Sequence, residues 1–418
     1  MSPAEPKPPS PEVQSTAPPF AAASLIGVVF INMLGFGIIV PLLPFYAHSF
    51  DAPPWQMALI FSAYSVGAFF GEPFWGRLSD RYGRKPILIS TITANGLCYL
   101  CLAFAPSIEA AFVIRLLGGL AAGNGAVIQG YIADVTPPEK RARQLSYQGA
   151  AWNVGLIVGP SIGGLFAHTG MGPAGFRIPL FIAAGLAFVC VTAVIMVIRE
   201  SRVRQTDISH RASRWAAAGE ALRHPVIGRL ILLTFLIGFA FTGIESVFGL
   251  WAQARFDWSP RDIGFAFAWV GLCAFVTQTV VTGRLSERYG EGPMLALGMA
   301  MTVISMLLQT VSTGGVMTTV LMCFSAVGSS VAFPNVGALI SRAADPHRQG
   351  QIMGLNNAAG ALSRVLGPLS AGLIFAQVID GPFLLGAAVV APAIFLAVAA
   401  SRRAGARPAD RDGDRLAP

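Results

Sequence analysis

The chain has 418 residues, of which 54% are hydrophobic and only 12% are charged, about half the charged share of a soluble protein. Because apolar runs of about 20 residues recur along its length, the composition predicts an all-α integral membrane protein. The net charge of +8 does not indicate nucleic-acid binding, since the basic residues lie in the short segments between the apolar runs.

Twelve apolar runs, here called spans 1 to 12, form two groups of six. The first group is predicted at 20–43, 56–76, 86–105, 110–133, 145–167 and 178–198. The second group is predicted at 227–251, 261–282, 293–312, 316–340, 351–376 and 383–401. The domains expected from these runs are a disordered cytoplasmic tail (1–19), an N half (20–198), a cytoplasmic linker (199–226), a C half (227–401) and a second cytoplasmic tail (402–418).

Basic residues are distributed unequally between the two sides of the predicted membrane. Twenty-four of the 29 Lys and Arg residues lie on one side and two lie inside spans, while the other side has only Arg177, Arg255 and Arg261. Segments rich in Lys and Arg remain in the cytoplasm. The pattern therefore predicts that both termini are cytoplasmic.

A short sequence occurs twice, once in each half. Residues 76–83 read Gly-Arg-Leu-Ser-Asp-Arg-Tyr-Gly, and residues 283–290 repeat them with Glu287 in place of Asp80. The pair Gly159-Pro160 in span 5 likewise returns as Gly367-Pro368 in span 11, at an offset of 208 residues. Internal repeats of this kind in a multi-span chain are typical of transporters.

Three motifs together resemble the major facilitator superfamily, in particular its twelve-span drug:proton antiporters such as the tetracycline efflux proteins. They are the segment 76–85 between spans 2 and 3, Arg115 with the glycines that follow it in span 4, and the Gly-Pro motif 155–164 of span 5. The resemblance implies the major facilitator fold, with twelve transmembrane helices in two pseudo-symmetric six-helix bundles. It implies alternating access driven by a proton gradient, with no cofactor. The chain departs from the tetracycline exporters in span 1, where Asn32 replaces an acidic residue.

Charged residues of the repeated segment are candidates for gating. In the resembling family, Asp80, Arg81 and Arg84 belong to a charge cluster with an acid at the end of span 4, here Asp134, that holds the cytoplasmic ends together in one state. The alternative is that the basic residues only set the topology. The second copy has Glu287 and Arg288 but has Glu291 where the first has Arg84. Its charge cluster is therefore expected to hold the cytoplasmic ends together less strongly.

Small residues and proline in spans 5 and 11 are candidates for helix packing and bending. Gly155, Gly159 and Gly163 recur every four residues and form one stripe on the helix. Such stripes allow helices to approach closely in lipid, where packing replaces the hydrophobic driving force. A proline frees a backbone carbonyl and permits a bend. The corresponding candidates are Pro160, Gly367 and Pro368.

Away from the ends of the spans, the charged residues are Glu72, Arg115, Glu245 and Arg364. Charges in the bilayer are costly and are functional candidates by default. We predict proton coupling by Glu245, Arg115 and Glu72, with Glu245 and Arg115 facing a central cavity and neutralising one another in at least one state. A local ion pair for Glu72 and a static ion pair for Glu245 are the alternatives.

Uncharged polar side chains in the spans are candidates for contacting a substrate. These are Asn32, Gln129, Asn153, Gln278, Asn335 and Asn356. A cavity rich in Phe and Met with few polar anchors suits small amphipathic compounds. All five cysteines lie in apolar runs, and we predict no metal site.

These features predict a monomeric, proton-driven exporter of small amphipathic compounds, a drug or multidrug efflux protein, embedded in a bacterial inner membrane. An Arg-rich, Lys-poor chain fits a bacterial genome of high GC content. The alternatives are an exporter of a siderophore, a sugar or a lipid with the same fold, or a membrane enzyme or receptor. An enzyme is disfavoured because no span carries a nucleophile and base set.

Overall fold

The computed structural model describes residues 21–136, 138–201, 223–344 and 349–405, and these residues form helices and short connections without any strand. Most of both predicted tails and most of the predicted linker lie outside the described residues. Eleven of the helical regions are long and apolar enough to cross a membrane. The predicted fold class, an all-α multi-pass membrane protein, is confirmed.

Helices occur at all six predicted positions of the N half. Span 2 is one helix, whereas span 4 is broken into two pieces by a short turn. The helices are Ala21–Ile39 continued by Val40–Leu42 and Leu43–His48 (span 1), Pro54–Tyr82 (span 2), Arg84–Ala103 (span 3), Ile108–Leu120 and Asn124–Val135 (span 4), Pro138–Phe166 (span 5), and Arg177–Val197 (span 6).

The C half repeats this arrangement. Span 8 contains a π-helical turn, which often marks a functional site. The helices are Ile227–Phe256 (span 7), Pro260–Val276 continued by Thr277–Thr282 and Gly283–Tyr289 (span 8), Glu291–Thr310 (span 9), Gly315–Ala343 (span 10), Gln349–Phe375 (span 11), and Gly381–Gly405 (span 12). Span 12 therefore extends past its predicted end at residue 401.

The repeated segment is mostly helical, although it was predicted to lie after the end of span 2 at residue 76. Span 2 continues through Gly76 to Tyr82, because residues with good helix propensity can carry a helix beyond the apolar core of the bilayer. Only the last residue of each copy turns the chain, with φ of 105° at Gly83 and 84° at Gly290. Both values are left-handed conformations that favour glycine.

The glycine stripe of span 5 packs against span 1. A Cβ added at Gly159 would lie 2.6 Å from the backbone carbon of Gly37, and one at Gly155 would lie 2.7 Å from Cβ of Met33. In span 11, a Cβ at Gly367 would lie 2.5 Å from the carbonyl oxygen of Phe239 in span 7. The absent side chains thus allow the backbones to touch.

The two halves meet near the ends of the helices that lie opposite the repeated segments. We call the membrane side of Gly83 and Gly290 the loop face and the opposite side the far face. A Cβ at Gly164, near the end of span 5, would lie 2.5 Å from the carbonyl oxygen of Pro260 at the start of span 8. Ser62 of span 2 donates a hydrogen bond of 3.1 Å to the carbonyl of Val365 in span 11. These contacts close the halves on the far face.

We expect Gly164→Ala and Gly159→Ala to have different effects, although both add one Cβ to the same helix. Gly159 contacts span 1 within the N half, so its substitution should lower the melting temperature. Gly164 contacts span 8 across the halves, so its substitution should separate the halves on the far face with little loss of stability. Spin-label distances across the far face would measure the separation. An unchanged distance in Gly164→Ala would contradict the expectation.

Candidate transport and gating sites

A buried arginine organises the loop face of the N half. Arg84 is 6% exposed, and all three of its guanidinium nitrogens have partners. Nη2 lies 2.9 Å from Asp80, Nε donates to Asp134 over 3.0 Å, and Nη1 donates to Ser79 over 2.6 Å. The planar fork of an arginine suits such a multidentate site. Three of the predicted gating residues therefore come together at the ends of spans 2, 3 and 4.

Glu200, which sequence reasoning did not identify, completes this cluster. Its carboxylate accepts the backbone N–H groups of Arg84 at 2.8 Å and Lys85 at 3.0 Å. A carboxylate at a helix N-terminus satisfies free N–H groups and complements the helix dipole. Gly83 makes room for it, since a Cβ there would lie 2.5 Å from Glu200 Oε2. The available sequence signal was an acid at the start of the arginine-rich linker, two residues after the predicted end of span 6.

The other basic residues of the two copies stay on the surface. Arg81 and Arg288 are both exposed, and each guanidinium lies 5.4 Å from the ring centre of the tyrosine that follows it. Glu287 is exposed as well. Arg81 and Arg288 therefore occupy matching surface positions in the two copies, and neither contributes to the buried part of the N-half cluster.

The C half carries an ion pair with the charges exchanged. Glu291 and Arg342 occupy the positions of Arg84 and Asp134, at offsets of 207 and 208 residues. Their side chains lie 2.6 Å apart; the side chain of Arg342 is 68% exposed and that of Glu291 is 15% exposed, whereas the side chain of Arg84 is 7% exposed. An ion pair with a solvated arginine contributes little stability, about 0–1 kcal/mol. Among the described residues, the second copy thus has a pair with a solvated arginine in place of a cluster built on a buried arginine.

Three charges lie where spans 2, 7 and 11 pack together. The positive charge of Arg364 in span 11 acts on Glu72 in span 2 and on Glu245 in span 7. Span 11 is fixed between its neighbours by the bond from Ser62 to Val365 and by a 3.1 Å bond from Thr242 to the carbonyl of Ser363. Both carboxylates are half-buried, Arg364 is exposed, and none of the ion pairs between described residues includes any of the three. Arg364 therefore acts on one acid from each half through longer-range electrostatics and not through a direct contact.

Arg115 does not meet Glu245 in this state, although the two were predicted to pair. Its side chain is 5% exposed and points into the N half, with the guanidinium 4.5 Å from the ring centre of Tyr64. None of the ion pairs between described residues includes Arg115. Equal depth along two helices does not bring two residues together, because the direction of each side chain around its helix also matters.

The predicted substrate-facing residues occupy different surroundings. Asn32 and Asn356 are half-buried, while Gln129 and Gln278 are exposed. Asn335 is 2% exposed and donates a 2.7 Å hydrogen bond to the carbonyl of Val331 in its own helix. The side chain of Asn153 lies outside the described residues.

This arrangement, two sets of helices with ionisable side chains along the contact between them, is that of a multi-pass membrane transporter. The chain belongs to the Major Facilitator Superfamily, whose family model matches residues 25–259 and 230–416.

Curated relatives of similar length include drug-resistance proteins. Multidrug resistance protein 2 of Bacillus subtilis is 27% identical over 371 residues, which cover 88% of this chain and 91% of the relative. Tetracycline resistance protein, class C, of Escherichia coli is 29% identical over 361 residues, covering 84% and 89%. The relatives are transporters, which places this chain among carriers of small molecules and not among enzymes.

Solved structures show the same fold at low sequence identity. The nucleoside transporter NupG matches with a TM-score of 0.72 and 14% identity, covering 93% of this chain and 99% of that one. A D-xylose-proton symporter matches with a TM-score of 0.74 and 16% identity, covering 90% and 96%. At this identity the likeness concerns the fold alone.

Proposed function

We propose that the protein is a proton-coupled exporter of small amphipathic compounds, working as a monomer in a bacterial inner membrane with both termini in the cytoplasm. The observation that carries the coupling is the group of Glu72, Glu245 and Arg364 at the meeting point of the halves. The drug-resistance and tetracycline-resistance relatives support export of drug-like compounds.

The charge balance of this group supplies a way to couple protons to movement. With both carboxylates ionised, one arginine faces two negative charges, so the group carries one net negative charge. Uptake of one proton by Glu245 would neutralise the group and weaken the attraction of span 7 for Arg364. Because the acids belong to different halves, the change alters the energy of the contact between them. An event with different energies in two states shifts the balance between those states.

The loop-face clusters would act as the gate. Arg84 ties spans 2, 3 and 4 together, and Glu200 adds span 6, so the loop-face end of the N half moves as one unit. In the described part of the C half, the pair of Glu291 and the solvated Arg342 is a weaker tie. Rocking of two stiff halves about a midplane site is the established mode of transporters built from repeats.

Reconstitution tests the proposal. Purified protein in liposomes with an imposed pH gradient should transport amphipathic dyes and release protons when a substrate is added. Collapse of the gradient with an ionophore should stop accumulation. A drug-susceptibility panel in a host deleted for its own efflux pumps would then identify the cargo. Transport that continues at full rate without a pH gradient would refute proton coupling, and resistance to no drug in the panel would refute the substrate class.

A further inference from the structure

A small pocket inside the N half lies apart from the charges between the halves and from the loop-face clusters. Spans 2, 3 and 4 enclose it. Its lining residues are Tyr64, Asn95, Cys98, Tyr99, Leu102, Ile114, Arg115 and Gly118. The pocket has room for about one water molecule or one ion of similar size.

The pocket contains a positive charge without a counter-charge. Arg115 is 5% exposed, and its Nε has no hydrogen-bond partner among the described residues. The contact that it makes is with the ring face of Tyr64, and no ion pair of the described residues includes it. A guanidinium remains charged inside proteins, and a buried charge without a partner is strongly destabilising.

A second buried polar group faces the same pocket. Asn95 is 4% exposed, and its Oδ1 also lacks a partner among the described residues. The oxygen and nitrogen of an asparagine amide exchange places by rotation, so Asn95 can present N–H donors to the pocket. Gly118 also lines the pocket, where a Cβ would make ordinary contacts of 3.5 Å with Cβ of Cys98 and 3.8 Å with Asn95 Oδ1.

We propose that this pocket binds a small monovalent anion, chloride in the cell, held by the guanidinium of Arg115 and the amide of Asn95. A water molecule would satisfy hydrogen bonds but would leave the charge of Arg115 uncompensated. The small volume favours a single-atom anion over a carboxylate. The site does not include Glu72, Glu245 or Arg364.

Thermal unfolding of the purified protein in chloride, bromide and gluconate at equal ionic strength tests the site. A ligand that binds only the folded protein raises the melting temperature in a saturable way. We expect chloride and bromide to raise it by several degrees over gluconate, and Arg115→Gln to remove the difference. Arg261→Gln, which alters an exposed arginine far from the pocket, should keep the full response. Equal melting of the unaltered protein in all three salts, or a full response in Arg115→Gln, would overturn the proposal.

Asn95→Asp separates anion binding from a role in packing. The new carboxylate would give Arg115 a permanent counter-charge, so this variant should lose its response to halide while melting at or above the unaltered protein in gluconate. A retained halide response in Asn95→Asp would count against the site. Should Arg115→Gln fail to fold, a bromide-soaked crystal of the unaltered protein decides. An anomalous peak in the pocket supports the proposal, and a pocket without one rejects it as holding water only.

Discussion

Glu245→Gln is expected to reduce proton-coupled export at least tenfold while leaving substrate binding largely intact. The amide has nearly the shape of the carboxyl group but cannot take up and release a proton. It also permanently removes the charge on span 7 that interacts with Arg364. In the proposed mechanism the substitution keeps the group of Glu72, residue 245 and Arg364 at zero net charge. The halves then lose the change in charge that shifts them to the other state. Export from vesicles with an imposed pH gradient, compared with equilibrium binding of the same dye, measures both properties.

A carboxylate at the end of a span provides the matched control. Glu109 lies in the first turn of span 4 and is exposed, so Glu109→Gln makes the same chemical change away from the contact between the halves. Its export should stay close to normal. Accumulation against a gradient at the normal rate in Glu245→Gln would disprove the coupling role, as would a structure in which Glu245 faces lipid.

Asp80→Asn is expected to reduce transport severely, about tenfold or more, with expression near normal. Asp80 lies 2.9 Å from the buried guanidinium of Arg84, and removing its charge weakens one of the three contacts of that side chain. Asp134 and Ser79 still hold Arg84, so the N half should fold. A charge-assisted hydrogen bond is worth roughly 1.5–3 kcal/mol, and the lower end of this range applies to Asp80, whose side chain is 49% exposed. A change of this size in one conformation is enough to shift a two-state equilibrium more than tenfold.

The same substitution in the second copy should have a much smaller effect. Glu287 is exposed, and the ion pair of the C half is formed by Glu291 and Arg342 instead. Glu287→Gln should therefore retain most of the transport rate. The two variants change equivalent positions of the repeat from acid to amide, so each serves as a control for the other. Equal losses, after normalisation to the amount of protein in the membrane, would reject the asymmetry.

The segments that are strongly constrained by the bilayer were the ones that the sequence predicted well. Each span must satisfy its backbone hydrogen bonds internally, so a long apolar run has to be a helix wherever it occurs. The limits of the helices were less certain because polar residues can extend a helix beyond the membrane, as residues 77–82 do at the end of span 2. The repeat revealed the relation between the halves because duplicated residues retain their spacing.

Partners distant in the sequence could not be predicted in the same way. Glu200 binds the start of span 3 from 116 residues away, and nothing in its local sequence indicates that contact. The sequence shows Glu291 and Arg342 at the positions that match Arg84 and Asp134. That these two side chains form an ion pair became clear only from the packing of spans 9 and 10.

The sequence by itself determined the fold class, the twelve spans, the twofold repeat and the set of charged residues inside the spans. These follow from local composition and from the length of chain that a bilayer requires. Only the tertiary structure decided the surroundings of these charges: span 7 with Glu245 packs against span 11 with Arg364, and Arg115 lies against the ring of Tyr64. Helix depth can be read from residue number, whereas the rotation of each helix about its axis is set by close packing with neighbouring helices.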